Sequence, residues 1–147
     1  MNNDLLVNKR LKNKTIWSLE DIIALDVKAR GMWEAAYRRA QLKCDDPALL
    51  VTLAEVKGVL ADIRIQATVA RSGEQVTERL EAIATLAIEA LPAWETAHAR
   101  AKLKCDDPAL LRALAEIKSA LADVRLLANV AQHGEYAGRR CVAIEEV

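Results

Sequence analysis

The fold of this chain is indicated by a nine-residue stretch that occurs twice, as LKCDDPALL at 42–50 and again at 103–111. The two copies are 61 residues apart, and the similarity extends to both sides of them. At this offset Trp33 matches Trp94, and about two-thirds of the positions from Trp33 to Glu74 are identical to their counterparts. Chance does not produce such a match, so the chain contains a tandem repeat.

Each repeat unit is predicted to be a pair of long helices. After each copy of the stretch, apolar residues recur at alternating steps of four and three, a spacing typical of α-helices packed along their length. They are Leu49, Leu53, Val56, Leu60, Ile63, Ala67 and Ala70, and their counterparts Leu110, Leu114, Ile117, Leu121, Val124, Ala128 and Ala131. A third set precedes the second copy: Val76, Leu80, Ile83, Ala87, Ala90, Trp94, Ala97 and Ala101.

Helix-capping residues mark the expected boundaries. Ser18 is placed to cap a first helix, Asp-Pro pairs at 46–47 and 107–108 are placed to begin others, and Gly73 and Gly134 are placed to end them. The expected helices cover about 18–43, 47–71, 74–104 and 108–132, with a short fifth from about 135. Pro92 lies inside the third of these helices and matches Gly31, which indicates either a shared bend or drift at a tolerant position.

The sequence therefore predicts an all-α protein. Its two-helix repeats, with a 61-residue period, stack as a short α-solenoid or close into a bundle of four or five helices. Wide apolar stripes favour the open stack, because they suggest burial on more than one side. The expected single repeat domain covers 18–147, with units at about 18–72 and 73–133 and a partial unit at 134–147. Residues 1–17 do not match the repeat and are assigned to an N-terminal capping or added segment.

Composition excludes several classes of function. The 21 basic and 21 acidic residues balance, which argues against a nucleic-acid partner. No apolar run approaches the length of a membrane span, so no membrane partner is expected. The odd number of cysteines, 3, favours a reducing, cytoplasmic location. Neighbouring helix axes 8–10 Å apart would also keep Cys44 and Cys105 beyond disulfide distance.

Asp26 is the candidate catalytic residue. It lies on the apolar face of the first helix, where the second unit has Ala87. A carboxylate in an apolar pocket has a raised pKa and can act as a general base. The alternative is a solvated Asp26, or one paired with Arg30 one turn further along the helix.

The candidate ligand- or partner-binding residues are aromatic and recur with the repeat. Trp33 and Trp94 serve either as core anchors or as the lining of a ligand groove, and Tyr37 and His98 follow them at equivalent positions. His133 lies at the far end of a long helix from His98, so the two histidines are not expected to share a site. No cofactor motif and no metal-ligand spacing occurs, and neither a cofactor nor a metal is expected.

Long, even helices with a near-identical repeat, Asp-Pro helix starts and Gly stops make residues 18–147 resemble designed helical repeat proteins. That resemblance implies a non-enzymatic scaffold or a binding module that presents a helical groove to a peptide or protein. Two alternatives stay open: a homo-oligomeric building block that self-assembles, and a ligand-binding or catalytic bundle with a cavity near Asp26 and the Trp residues. The cysteines, the histidines and the unlike N-terminal segment depart from the pattern and leave room for a natural duplication.

Overall fold

The computed structural model describes the backbone of residues 2–145 and the side chains of residues 18–132. It contains four helices: α1 (Asn2–Lys43), α2 (Pro47–Arg71), α3 (Val76–Lys104) and α4 (Pro108–Glu145). Helix α1 packs against α2 and α4, and α3 packs against the same two helices. The all-α prediction is thus confirmed as a helical bundle, and the described residues include no strand. Within this part of the chain no helix has the length and apolar character to cross a membrane.

The helix ends inside the bundle lie where the sequence predicts them. The Asp46 carboxylate accepts a hydrogen bond from the backbone N–H of Ala48 at 3.2 Å, and Pro47 opens α2. The Asp107 carboxylate does the same for Ala109, also at 3.2 Å. These carboxylates satisfy backbone donors that the first turn of a helix leaves free. Gly73 has a φ of +96°, the left-handed conformation expected of a glycine just after a helix.

The outer helix ends differ from the prediction. Helix α1 begins at Asn2, so Ser18 lies inside a helix and does not cap one. Helix α4 continues through Gly134 to Glu145, so Gly134 does not end a helix and no separate fifth helix follows it among the described residues. Neither Ser18 nor Gly134 forces a boundary, because serine is tolerated in a helix and glycine costs only about 1 kcal/mol relative to alanine. The side chains of the N-terminal segment, of His133 and of the partial third unit lie outside the described residues.

The core is the set of apolar residues that the repeat pattern selects. All seven of the predicted residues in α2 and all seven in α4 are buried, and so are those of α3 except the half-buried Val76. Among the apolar residues that flank this set, Ile65 is 57% exposed and Ile88 is 43% exposed, whereas Leu86 is half-buried against the core. Each helix buries one face, and burial of its Leu and Ile side chains contributes about 1.5–3 kcal/mol each.

Contacts between the two units are reciprocal. The Arg39 guanidinium donates to the Asp107 carboxylate at 2.8 Å, and the equivalent Arg100 donates to the equivalent Asp46 at 2.9 Å. These bonds hold the pKa of both carboxyls below their usual range. Each unit therefore contributes one arginine and one aspartate to its contact with the other unit.

The two equivalent cysteines meet at the same end of the bundle. Cys44 and Cys105 form a disulfide with their Cα atoms 5.2 Å apart. The expectation that they lie too far apart is wrong, because the C-terminal ends of α1 and α3 approach each other more closely than helix axes packed along their length.

Candidate functional site

Trp33 anchors α1 to α2. Its indole N–H donates to the backbone carbonyl of Leu53 at 2.6 Å, and its ring stacks on Tyr37 with centroids 4.8 Å apart. The Lys57 ammonium lies 4.8 Å from the centre of the same ring. The indole is only 6% exposed, and its one polar atom already has a partner.

Trp94 repeats this arrangement between α3 and α4. Its N–H donates to the carbonyl of Leu114 at 2.7 Å, its ring stacks on His98 at 4.7 Å, and Lys118 lies 4.7 Å from the ring centre. Burial, and then the charges of Lys102 and Lys118, lower the pKa of His98. The structure thus places the four aromatic candidates in two equivalent clusters, one in each unit. Within each cluster the tryptophan packs two helices together, and none of the four aromatic side chains lines the grooves described below.

Asp26 is fully buried. Both of its carboxylate oxygens lie out of contact with solvent, and neither accepts a hydrogen bond from any described residue. Burial raises its pKa to about 6, although the nearby Arg30 and Arg64 guanidinium groups act in the opposite direction. The predicted alternative of a solvated Asp26 does not occur, and Arg30 influences the carboxylate without bonding to it. A carboxyl group with this pKa can hold or release a proton near neutral pH.

An open groove lies between α1 and α4. It has a volume of about 430 Å³, and Leu25, Leu126 and Leu127 form its apolar part. Asp21 and Asp123 line it from opposite helices, together with Lys28. Leu126 is 61% exposed and is one of several large apolar side chains on the surface of the bundle.

A second groove lies on the other side of Leu126, between α3 and α4. It has a volume of about 390 Å³, and its apolar lining includes Ala87, Leu91 and Leu121. Lys118 and Arg125 give this groove a basic character. The two grooves share Leu126, so α4 presents one surface with an apolar ridge at Leu126 and a groove on each side. We call this the α4 surface.

Comparison of the two units explains why the α4 surface is open and apolar. On α2 the residue equivalent to Leu127 is Gln66, whose amide oxygen accepts a hydrogen bond from Arg79 of α3 at 2.8 Å. This polar bridge crosses between α2 and α3. Between α1 and α4 the equivalent pair is Leu127 and Ser18, which cannot form the same bridge.

The second groove also differs from its counterpart. Its residues Ala87 and Leu91 correspond to Asp26 and Arg30 in the first unit. The sequence alone did not lead us to the α4 surface, although these apolar-for-polar differences between otherwise similar units were a usable signal.

The described residues contain no group of three or more His, Cys, Asp or Glu side chains arranged to hold a metal ion. No protein-family model matches the chain, and neither a curated relative nor a similar solved structure was found.

Proposed function

We propose that this protein is a non-enzymatic binding module whose α4 surface takes an amphipathic helix from a peptide or protein partner. The observation that carries the proposal is the exposed Leu126 between two open grooves. A helix that lies along such a surface can place apolar side chains on both sides of the leucine, which is a common mode of peptide recognition. The aromatic clusters would then keep the helices rigid behind the surface.

The charges along the α4 surface specify the partner further. The groove between α1 and α4 carries Asp21 and Asp123 against the single Lys28, so it favours basic side chains. The groove on the other side carries Lys118 and Arg125 and favours acidic ones. The expected partner therefore has a leucine-rich face with basic residues along one edge and acidic residues along the other.

We also infer that the two units close into a bundle about a pseudo-twofold axis. Reciprocal ion pairs and a disulfide between equivalent cysteines support this arrangement, because a purely translational stack would not exchange the same two residues in both directions. The contact of α1 with α4 supports it as well, since it joins the first helix to the last.

The binding proposal is tested with a fluorescent synthetic helix of about four turns, with Leu on one face, Lys along one edge and Glu along the other. Fluorescence anisotropy should show binding to the wild-type protein. Leu126→Glu should weaken it at least tenfold, because it places a charge at the centre of the apolar contact. Ile65→Glu is the matched control, since Ile65 is the exposed counterpart of Leu126 on α2 and lines neither groove.

A second peptide of the same composition, with Lys and Glu alternating along both edges, tests the charge argument. It should bind more weakly, and the difference should shrink at high salt. Equal loss of binding for Leu126→Glu and Ile65→Glu would remove the α4 surface as the site, as would complete absence of binding by either peptide.

A further inference from the structure

The two units pair through a self-complementary surface, and such a surface allows units to be exchanged between chains. Arg39 of the first unit meets Asp107 of the second, and Arg100 of the second meets Asp46 of the first. A first unit therefore fits the second unit of another copy as well as it fits the second unit of its own chain. The ion pairs, the disulfide and the packing of the buried faces would be identical in both cases.

The connection between the units is short and strained. Residues 72–75 join α2 to α3. Gly73 has a φ of +96°, and Gln75 has a φ of 48°, which is a left-handed conformation that costs a non-glycine residue about 1–2 kcal/mol. Gln75 also occupies the N-cap position of α3 without donating or accepting a capping hydrogen bond through its side chain. Short hinge loops under strain favour exchange of structural units between chains, because straightening them relieves the strain.

We propose that this chain forms a domain-swapped homodimer in which the connection at residues 72–75 opens. The first unit of each copy then packs against the second unit of the other. The partner is thus a second copy of this chain, and the inference is independent of the peptide partner proposed for the α4 surface. Each dimer repeats the closed interface twice, with Cys44 of one chain facing Cys105 of the other.

Single-cysteine chains distinguish the swapped dimer from the closed monomer. One chain carries Cys105→Ser and Cys141→Ser, and the other carries Cys44→Ser and Cys141→Ser, so neither can form the internal bond. The two are mixed while unfolded, refolded together at high concentration, and oxidised with oxidised glutathione. The Cys44 and Cys105 thiols lose two electrons and two protons to this reagent, which leaves as two molecules of reduced glutathione.

In the mixture, swapping should produce a covalent dimer on a non-reducing gel. Only a mixed dimer brings Cys44 of one chain to Cys105 of the other, so up to half of the swapped dimers should be cross-linked. Neither chain refolded alone should cross-link, because each remaining cysteine then faces a serine. Absence of cross-linking in the mixture would overturn the proposal, and so would cross-linking of equal yield in all three samples.

The hinge itself is tested in the chain with its native cysteines. Gln75→Gly removes the strain of the closed turn, together with the 3.5 Å hydrogen bond that the Gln75 side chain accepts from Arg79, and should lower the dimer fraction measured by light scattering. Relief of about 1 kcal/mol corresponds to about a fivefold shift for each turn. A dimer fraction that Gln75→Gly leaves unchanged or raises would contradict the role of the hinge. A wild-type protein that stays strictly monomeric after concentrated refolding would contradict the swap.

Discussion

At the scale of single residues, Asp26 is where the two units differ most in chemistry. Ala87 occupies the equivalent position and is buried without cost, whereas Asp26 buries a carboxyl group that has no hydrogen-bond partner among the described residues. Its pKa of about 6 lies above the 3.8 of an unburied carboxyl. The folded protein therefore binds this proton more tightly than the unfolded chain does. The contribution of Asp26 to stability is greatest below about pH 4, falls as the pH rises from about 4 to about 6, and stays at the lower level above that range.

We expect Asp26→Ala to stabilise the protein at pH 8 and to remove this pH dependence. The pKa difference corresponds to roughly 3 kcal/mol at pH 8, and alanine is the residue that the second unit packs at this position. Urea unfolding at pH 4 and pH 8 measures the effect, with Asp62→Ala as the control because Asp62 is exposed on α2. Equal effects of Asp26→Ala at the two pH values would show that Asp26 has an ordinary pKa.

The sequence identified Asp26 but not its surroundings. The repeat made the residue visible, since an aspartate appeared where the other unit has an alanine. Its burial and the absence of a bond to Arg30 depend on which helices cover α1, and helical spacing carries no information about that. The α4 surface was missed for a related reason. Leu126 lies outside the predicted core spacing of α4, and whether a partner covers an apolar residue at such a position is decided by the neighbouring helices.

At the scale of helices, Gly31 and Gly73 differ in whether the backbone at their position requires a conformation that only glycine adopts easily. Gly31 lies inside α1 with nothing within 4 Å of an added Cβ, whereas Gly73 has a φ of +96° after α2. We expect Gly31→Ala to raise the free energy of unfolding by about 1 kcal/mol, because alanine has the higher helix propensity. Gly73→Ala should lower it by about 1 kcal/mol or more, because an L side chain is strained at that φ. Chemical denaturation of both variants measures the contrast.

The same experiment decides between two readings of the match between Gly31 and Pro92. If Gly31 provides a bend that the packing of α1 requires, Gly31→Ala will not stabilise the protein. A gain of about 1 kcal/mol would indicate a tolerant position.

Helix boundaries at 44–47 and 105–108 were predictable because a capping aspartate and a following proline are local signals. The outer ends were not, because serine and glycine permit a helix to continue as readily as they permit it to end.

At the scale of the whole molecule, the repeat predicts that the two units are alike but not how they are placed. Translation and rotation between like units bury the same apolar faces, so apolar spacing cannot separate a stack from a bundle. Residues that pair between the units can separate the two arrangements. Arg39 and Asp107 were both visible in the sequence, and their reciprocal bonds to the equivalent Asp46 and Arg100 carry the information about placement. The same geometry brings Cys44 to Cys105, which the helix-spacing argument had separated.

The disulfide therefore has a measurable role in holding the two units together. It connects residues 61 positions apart, and closing a loop of that length restricts the unfolded chain by an amount equivalent to about 4 kcal/mol. We expect a reducing agent to lower the free energy of unfolding of the wild-type protein by up to this amount, measured by urea unfolding with and without reductant. The double variant Cys44→Ser, Cys105→Ser should match the reduced wild type and should not respond to reductant. The reciprocal ion pairs and the buried faces remain in the reduced protein, so it should still unfold cooperatively. A wild-type protein that is equally stable with and without reductant would mean that the bundle places its two units without help from the cysteines.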